Sequence, residues 1–191
     1  NDNNDDRDNN DSNSKDSNGH ERSHGLTERE SHIEGKFHAK ITKKADTLIK
    51  QYKKTFGNVI DPDAVKKLDK NFAADPSLAG AVHEPSSRLA KMIYANALKE
   101  KAAKGDANPV VFTAGGSGSG KSTTMKGALK ALGAKQNALL YDSVLSSPSS
   151  AKARIDQALA AQKGDVGIAY TNANIETALK FNALRERAVT I

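Results

Sequence analysis

Apolar residues in the first third of the chain recur at the period of a helix. From Leu26 to Phe56 the positions Ile33, Phe37, Ile41, Ala45, Leu48 or Ile49, Tyr52 and Phe56 fall every three to four residues. Lys36, Lys40, Lys43, Lys44, Lys50, Lys53 and Lys54 fill the other faces. The stripe predicts a basic amphipathic helix that packs on a neighbour and leaves its lysines in water, although the same pattern suits a membrane surface or RNA. Gly57 is placed to end it. "NVIDPD" (58–63) then reads as a short apolar strand and an Asx-Pro turn that opens a second helix, continued by "AVKKLDKNFA". The following stretch predicts a loop containing Pro85, a serine cap, and a helix with Leu89, Met92, Ile93 and Ala97 on one face, stopped by Gly105.

The pattern then alternates. "NPVVFTA" reads as strand, 121–132 as helix, "NALLYDS" as strand, "SSAKARIDQALAAQKG" as helix, "DVGIAYT" as strand and "NANIETALKFNALRERA" as helix. Apolar strands without polar alternation, each followed by a helix, predict an α/β fold with a parallel sheet covered on both faces.

Composition changes this picture at the N-terminus. Hydrophobic residues make up 37% of the chain and mean hydropathy is −0.65, low for a chain folded from end to end. Residues 1–24 hold no aliphatic residue, Phe, Tyr or Trp and cannot offset chain entropy by burial, so they are expected to form a disordered, acidic, Asn-rich tail. The expected division is this tail, the basic helix over 25–57, and an α/β domain over 58–191. The first residue is Asn1, and the chain is expected to be cut from a longer one, with its C-terminus truncated.

The tail has seven acidic residues against three basic ones, while the whole chain is +6, which leaves the body strongly basic and suited to polyanions. With no cysteine, disulfides, thiolate metal sites and cysteine nucleophiles are excluded. The close histidine pairs, His20 with His24 and His32 with His38, fall in or near the tail, and no zinc site is expected. No signal peptide or membrane-length apolar run is visible, and a cytoplasmic location is expected.

The chemistry concentrates in "VVFTAGGSGSGKSTTMK" (110–126), where Gly115, Gly120, Lys121 and Ser122 fit G-x-x-x-x-G-K-[ST]. A phosphate needs several backbone N–H groups aimed into one concavity, which glycines permit, and it gains from a helix N-terminus. Strand residues precede the run and helix formers follow, the context of a P-loop NTPase-type sheet. Gly115, Gly116, Ser117, Gly118, Ser119, Gly120, Lys121, Ser122 and Thr123 are the candidate nucleotide-binding residues. Lys121 would reach the β- and γ-phosphates of ATP, and the Ser122 hydroxyl would bind Mg²⁺.

The chain lacks the N-K-x-D of GTPases, and the sequence after the loop is too short for a motor or helicase. A small kinase remains, which needs an acid beside Mg²⁺ and a base for the acceptor hydroxyl. Asp142, closing "ALLYD", is the candidate metal-side acid, with a turn cap as the alternative. Asp61, closing "NVID", is the candidate base, although aspartate before proline is also a routine turn and cap signal.

"FTAGGSGSGKST", "LLYDS" and "VGIAYTNANIETALKFNALRERA" resemble the P-loop kinase core of the zeta toxin family, in which a hydroxyl of a nucleotide-activated amino sugar is phosphorylated. The resemblance covers about 58–188. Residues 58–104 are similar to the family's substrate-side segment but precede the P-loop, which implies a circularly permuted core. On that reading Asp61 corresponds to the base, Asp142 to the second acid, His83 and Glu84 of "HEPSS" to a substrate-facing turn, and Arg185 and Arg187 to a lid. Pro85 departs from the family's small residue in that turn. An antitoxin-like partner, or a partner domain in the same longer chain, is also implied.

Three readings follow. The first is ATP- and Mg²⁺-dependent transfer to a small-molecule hydroxyl, with Lys121 and Asp61 catalytic. The second is an ATP-binding or ATPase module of a larger polypeptide with no acceptor. The third is a polynucleotide kinase-like domain, ranked last because the lysine helix lacks interleaved aromatics for stacking bases.

Overall fold

Thr27 starts the first helix with a capping box: its hydroxyl accepts from the Glu30 amide, and the Glu30 carboxylate accepts from the Thr27 amide at 2.9 Å. The computed structural model describes residues 15, 19–115, 138–142, 147–161, 164–172, 174, 176 and 180. Helix α1 runs Glu28–Phe56, and the stripe of Ile33, Phe37, Ile41, Leu48, Ile49 and Tyr52 is buried. It packs alongside α4, His83–Lys104, with Arg88 on Thr42 at 3.2 Å and Lys53 on Asn96 at 2.9 Å. One core cluster holds this stripe together with Val110, Phe112, Leu139 and Tyr141 of the sheet, so residues 25–57 share the core of the α/β unit.

Strand β1, Val59–Ile60, leads into α2, Pro62–Lys66, whose N-cap is Asp61. The second helix does not continue as far as its apolar pattern suggests. The Asp69 carboxylate accepts from the amides of Asn71 and Phe72 and starts a separate α3, Lys70–Ala74, because a short acceptor side chain competes with the helical ladder. A 3₁₀ turn over Pro76–Ala79 follows. Helix α4 then begins earlier than expected, at His83, without a side-chain cap. Pro85 lies inside its first turn, where a missing N–H leaves no helical bond unmade. The expected loop and serine cap at "HEPSS" are therefore helix.

The sheet is completed by β2, Val110–Ala114, β3, Leu139–Asp142, and β4, Val166–Tyr170, with α5, Pro148–Ala161, between the last two. The strand order is β1-β3-β2-β4 and every pairing is parallel. Register places Ile60, Tyr141, Phe112 and Ile168 in one row. Tyr94 of α4 stands edge-on to Phe112 and Tyr141, at 6.1 and 5.1 Å between ring centroids. Each such pair adds about 0.5–1.5 kcal/mol beyond area burial. Its hydroxyl donates to the Arg154 carbonyl at 2.8 Å and ties α4 to α5. Cover thins at β4, where Ile168 and Tyr170 are exposed, the latter at 71%. The residues that pack into the other face, Val111 and Leu140, are also buried but lie outside the helical core cluster.

Within the segment read as a disordered tail, residues 20–23 contact α1. The Ser23 amide donates to Glu34 at 2.8 Å, Arg22 lies 3.6 Å from the same carboxylate, and His20 stacks on His38 at 4.8 Å. Buried polar groups on α1, absent from an apolar-pattern analysis, give this segment its partners.

Candidate active site

All four strands end at one edge of the sheet because all are parallel, and three predicted site positions meet there. Gly115 directly follows β2; it is buried and has φ 144°, a backbone angle that side chains rarely adopt. One strand over, Asp142 ends β3 in register with Thr113 of β2, and the Thr113 hydroxyl donates to its Oδ1 at 2.5 Å. Thr113 is buried, so this bond fixes the orientation of Asp142. Asp61 follows the last paired residue of β1, and the register of Ile60 with Tyr141 carries it to the level of Asp142. The strand that bears Asp61 is thus in the same sheet as the glycine strand, separated from it by β3.

Burial, chiefly, pushes the Asp61 carboxyl above the ordinary range, with Asp142 and Asp63 adding to the shift and the Asp63 amide opposing it. That amide donates to Asp61 Oδ1 at 2.8 Å, which makes the same carboxylate the cap of α2. Both sequence-level readings of Asp61, turn cap and strand-end acid, therefore describe the same residue.

The backbone around Asp61 is held from α1. The buried Tyr52 hydroxyl accepts from the Asp61 amide at 2.9 Å and lies 3.0 Å from the Val59 carbonyl and 3.3 Å from the Asp61 carbonyl. Burial pushes the Tyr52 phenol up to about 12, so it keeps its proton across the neutral range. Sequence reasoning placed Tyr52 only on the apolar stripe and gave Thr113 no role. A threonine in the otherwise apolar run "VVFTA", one position before the strand end, was the available signal for Thr113.

His83 and Glu84 lie in the first turn of α4, His83 exposed and Glu84 half-buried. Burial, chiefly, raises the Glu84 carboxyl; His83 opposes the shift and the Glu21 carboxyl adds to it. Gly116, Ser117, Gly118, Ser119, Gly120, Lys121, Ser122, Thr123, Arg185 and Arg187 lie outside the described residues. Among the described residues no cluster of three or more His, Asp or Glu side chains is placed to hold a metal, and no helix is long and apolar enough to cross a membrane. A cleft of about 370 Å³ opens at the opposite edge, lined by Lys53, Ile93, Glu100, Lys101, Lys104 and Leu139. No protein-family model matches the chain, and no curated protein matches it.

Proposed function

We propose that the protein is a P-loop kinase that transfers the γ-phosphate of ATP to a hydroxyl of a small molecule. The observation that carries this reading is the convergence of Gly115, the Thr113–Asp142 pair and Asp61 on the carboxyl edge of an all-parallel sheet. Open α/β sheets bind their ligands outside the carboxyl ends of the strands, and here that edge carries a glycine strand end and two acids. The glycine run 115–120, with Lys121, would cradle the phosphates and offset charge on the transferring group.

The hard oxygen donors of Asp142 and the Ser122 hydroxyl suit Mg²⁺, which when bound would neutralise phosphate charge. Asp61 would accept the acceptor's proton, and its raised affinity for a proton suits a general base. The strand order supports the permuted zeta-toxin-like reading, because the acid encoded upstream of the glycine run reaches the same edge as Asp142. A nucleotide-activated amino sugar is the acceptor class that this resemblance suggests.

The test compares wild type with Asp61→Asn, using radiolabelled ATP, Mg²⁺ and UDP-N-acetylglucosamine as the acceptor probe. Transfer should fall by about 10²–10⁴-fold while calorimetry shows ATP binding retained. Equal transfer or equal residual hydrolysis in the two proteins would remove the base assignment. The cap bond from Asp63 to Asp61 favours a second reading, a nucleotide-binding module without an acceptor, in which Asp61 is purely structural.

A further inference from the structure

We propose that Tyr52 is a positioning residue for the reaction, its hydroxyl standing in for a neighbouring strand and fixing where Asp61 presents its carboxylate. The inference rests on the reading of Asp61 as the base.

Strand β1 has two residues and, among the described residues, one sheet neighbour, β3. The Leu140 amide donates to the Asn58 carbonyl at 2.9 Å, so the backbone groups of Asn58 and Ile60 face β3. In an extended strand the groups of the intervening residues then face the open side. Those are the Val59 carbonyl and the Asp61 amide, the pair that a further parallel strand would bond. Tyr52 reaches both from α1, accepting from the amide and donating to the carbonyl. One hydroxyl thereby satisfies an edge that two ladder residues could not define by themselves, and the edge is closed to other strands.

The consequence for Asp61 is directional. Its backbone is held on the amide side by Tyr52 and on the carbonyl side by the Val65 amide at 3.1 Å, the first helical bond of α2. Its Oδ1 is held by the Asp63 amide. With these three contacts in place, the carboxylate is held at the strand end, one strand over from Asp142. Tyr52 can act as a fixed point because it is fully buried and its ring packs on Phe56 at 4.8 Å. A displacement of about 1 Å at a reacting group can cost about a hundredfold in rate, which is the scale available to such a residue.

The experiment uses the full chain. In the wild type, the Asp61 amide should exchange with solvent slowly, as measured by nitrogen-15 NMR. In Tyr52→Phe, which keeps the ring, that amide should lose protection and its resonance should move. With ATP, Mg²⁺ and UDP-N-acetylglucosamine, kcat should fall about tenfold to a hundredfold while KM for ATP stays unchanged. If the wild-type amide exchanges as fast as an exposed one, the inference is overturned without recourse to the variant. It is equally overturned if Tyr52→Phe loses thermal stability but leaves kcat intact. Failure of the base reading has a different signature: Asp61→Asn would leave transfer unchanged, whatever the exchange data report.

Discussion

At the amino edge of the sheet Lys101, buried on α4, lies 3.0 Å from Asp106 and donates to the Asn108 carbonyl at 2.7 Å, and Lys53 lies 2.6 Å from Glu100. At the carboxyl edge Asp61 and Asp142 stand side by side, and among the described residues neither makes an ion pair with a cation. The same residue type is consequently pushed in opposite directions. Asp106 is lowered, first by the Asn108 amide and then by Lys101, whereas Asp61 is raised, first by burial and then by its acidic neighbour. One edge uses charge to close the fold, and the other leaves Asp61 raised near a second acid, an arrangement that weakens the fold and would suit a binding or catalytic role. The cleft lies at the first edge and the strand-end acids at the second, so the cleft and the proposed site do not coincide.

Substitutions that exchange these behaviours should separate in size. Besides the loss of transfer expected for Asp61→Asn, Asp142→Asn should have the largest effect, lowering Mg²⁺-dependent ATP turnover by about 10²–10³-fold in a phosphate-release assay. Unchanged turnover would break the comparison by showing that the strand-end acids have no part in chemistry. Lys101→Met should cost about 2 kcal/mol in urea unfolding by stripping Asp106 and the Asn108 carbonyl of a buried charged donor, with kcat unaltered.

Asp61→Asn should instead raise Tm at pH 7, since asparagine keeps the cap of α2 and removes a buried charge. Because the native pKa of Asp61 is raised, the native state holds its proton more tightly than the unfolded chain, and stability falls as pH rises from 3.8 through the native value. The advantage of the variant should therefore vanish below pH 3.8. Asp106→Asn should behave in the opposite way, losing stability at neutral pH and converging with wild type as pH falls through the lowered native value.

The smallest effect should come from His38, which is buried on α1 and lowered chiefly by burial, then by His20 and Arg88. Its contribution is present above 6.5 and is lost as pH falls from there through the native value. His38→Phe should flatten the decline in Tm between pH 7 and 5. A wild-type Tm that already stays level over that range would confine uncompensated burial to the strand ends.

The pattern of apolar residues marked α1, α4, β2 and β3, which bury continuous surface, and marked β1 and β4 by their short apolar runs alone. It did not resolve 61–86, where Asp69, Asp75 and Pro85 divide the chain by local hydrogen bonds that overrule periodicity. At the site, Asp61 and Asp142 were legible as acids closing apolar runs. Their adjacency was not, since strand order depends on crossovers that hydropathy does not encode. Tyr52 was legible as a core residue only; its second role depends on a hydroxyl reaching an edge seven to nine residues further on.

Strand β1 comes early in the chain and its described sheet partner comes late, Val59 pairing with Leu140. At translation rates of about 5–20 residues per second, the roughly eighty intervening residues take on the order of 4–16 s to synthesise. During that interval the nascent chain already contains α1, and the only described partner for the outward groups of β1 is Tyr52. A contact seven residues long in sequence can form long before one that spans about eighty residues, so the order of birth favours docking the edge strand onto its helix first and adding the sheet to it afterwards.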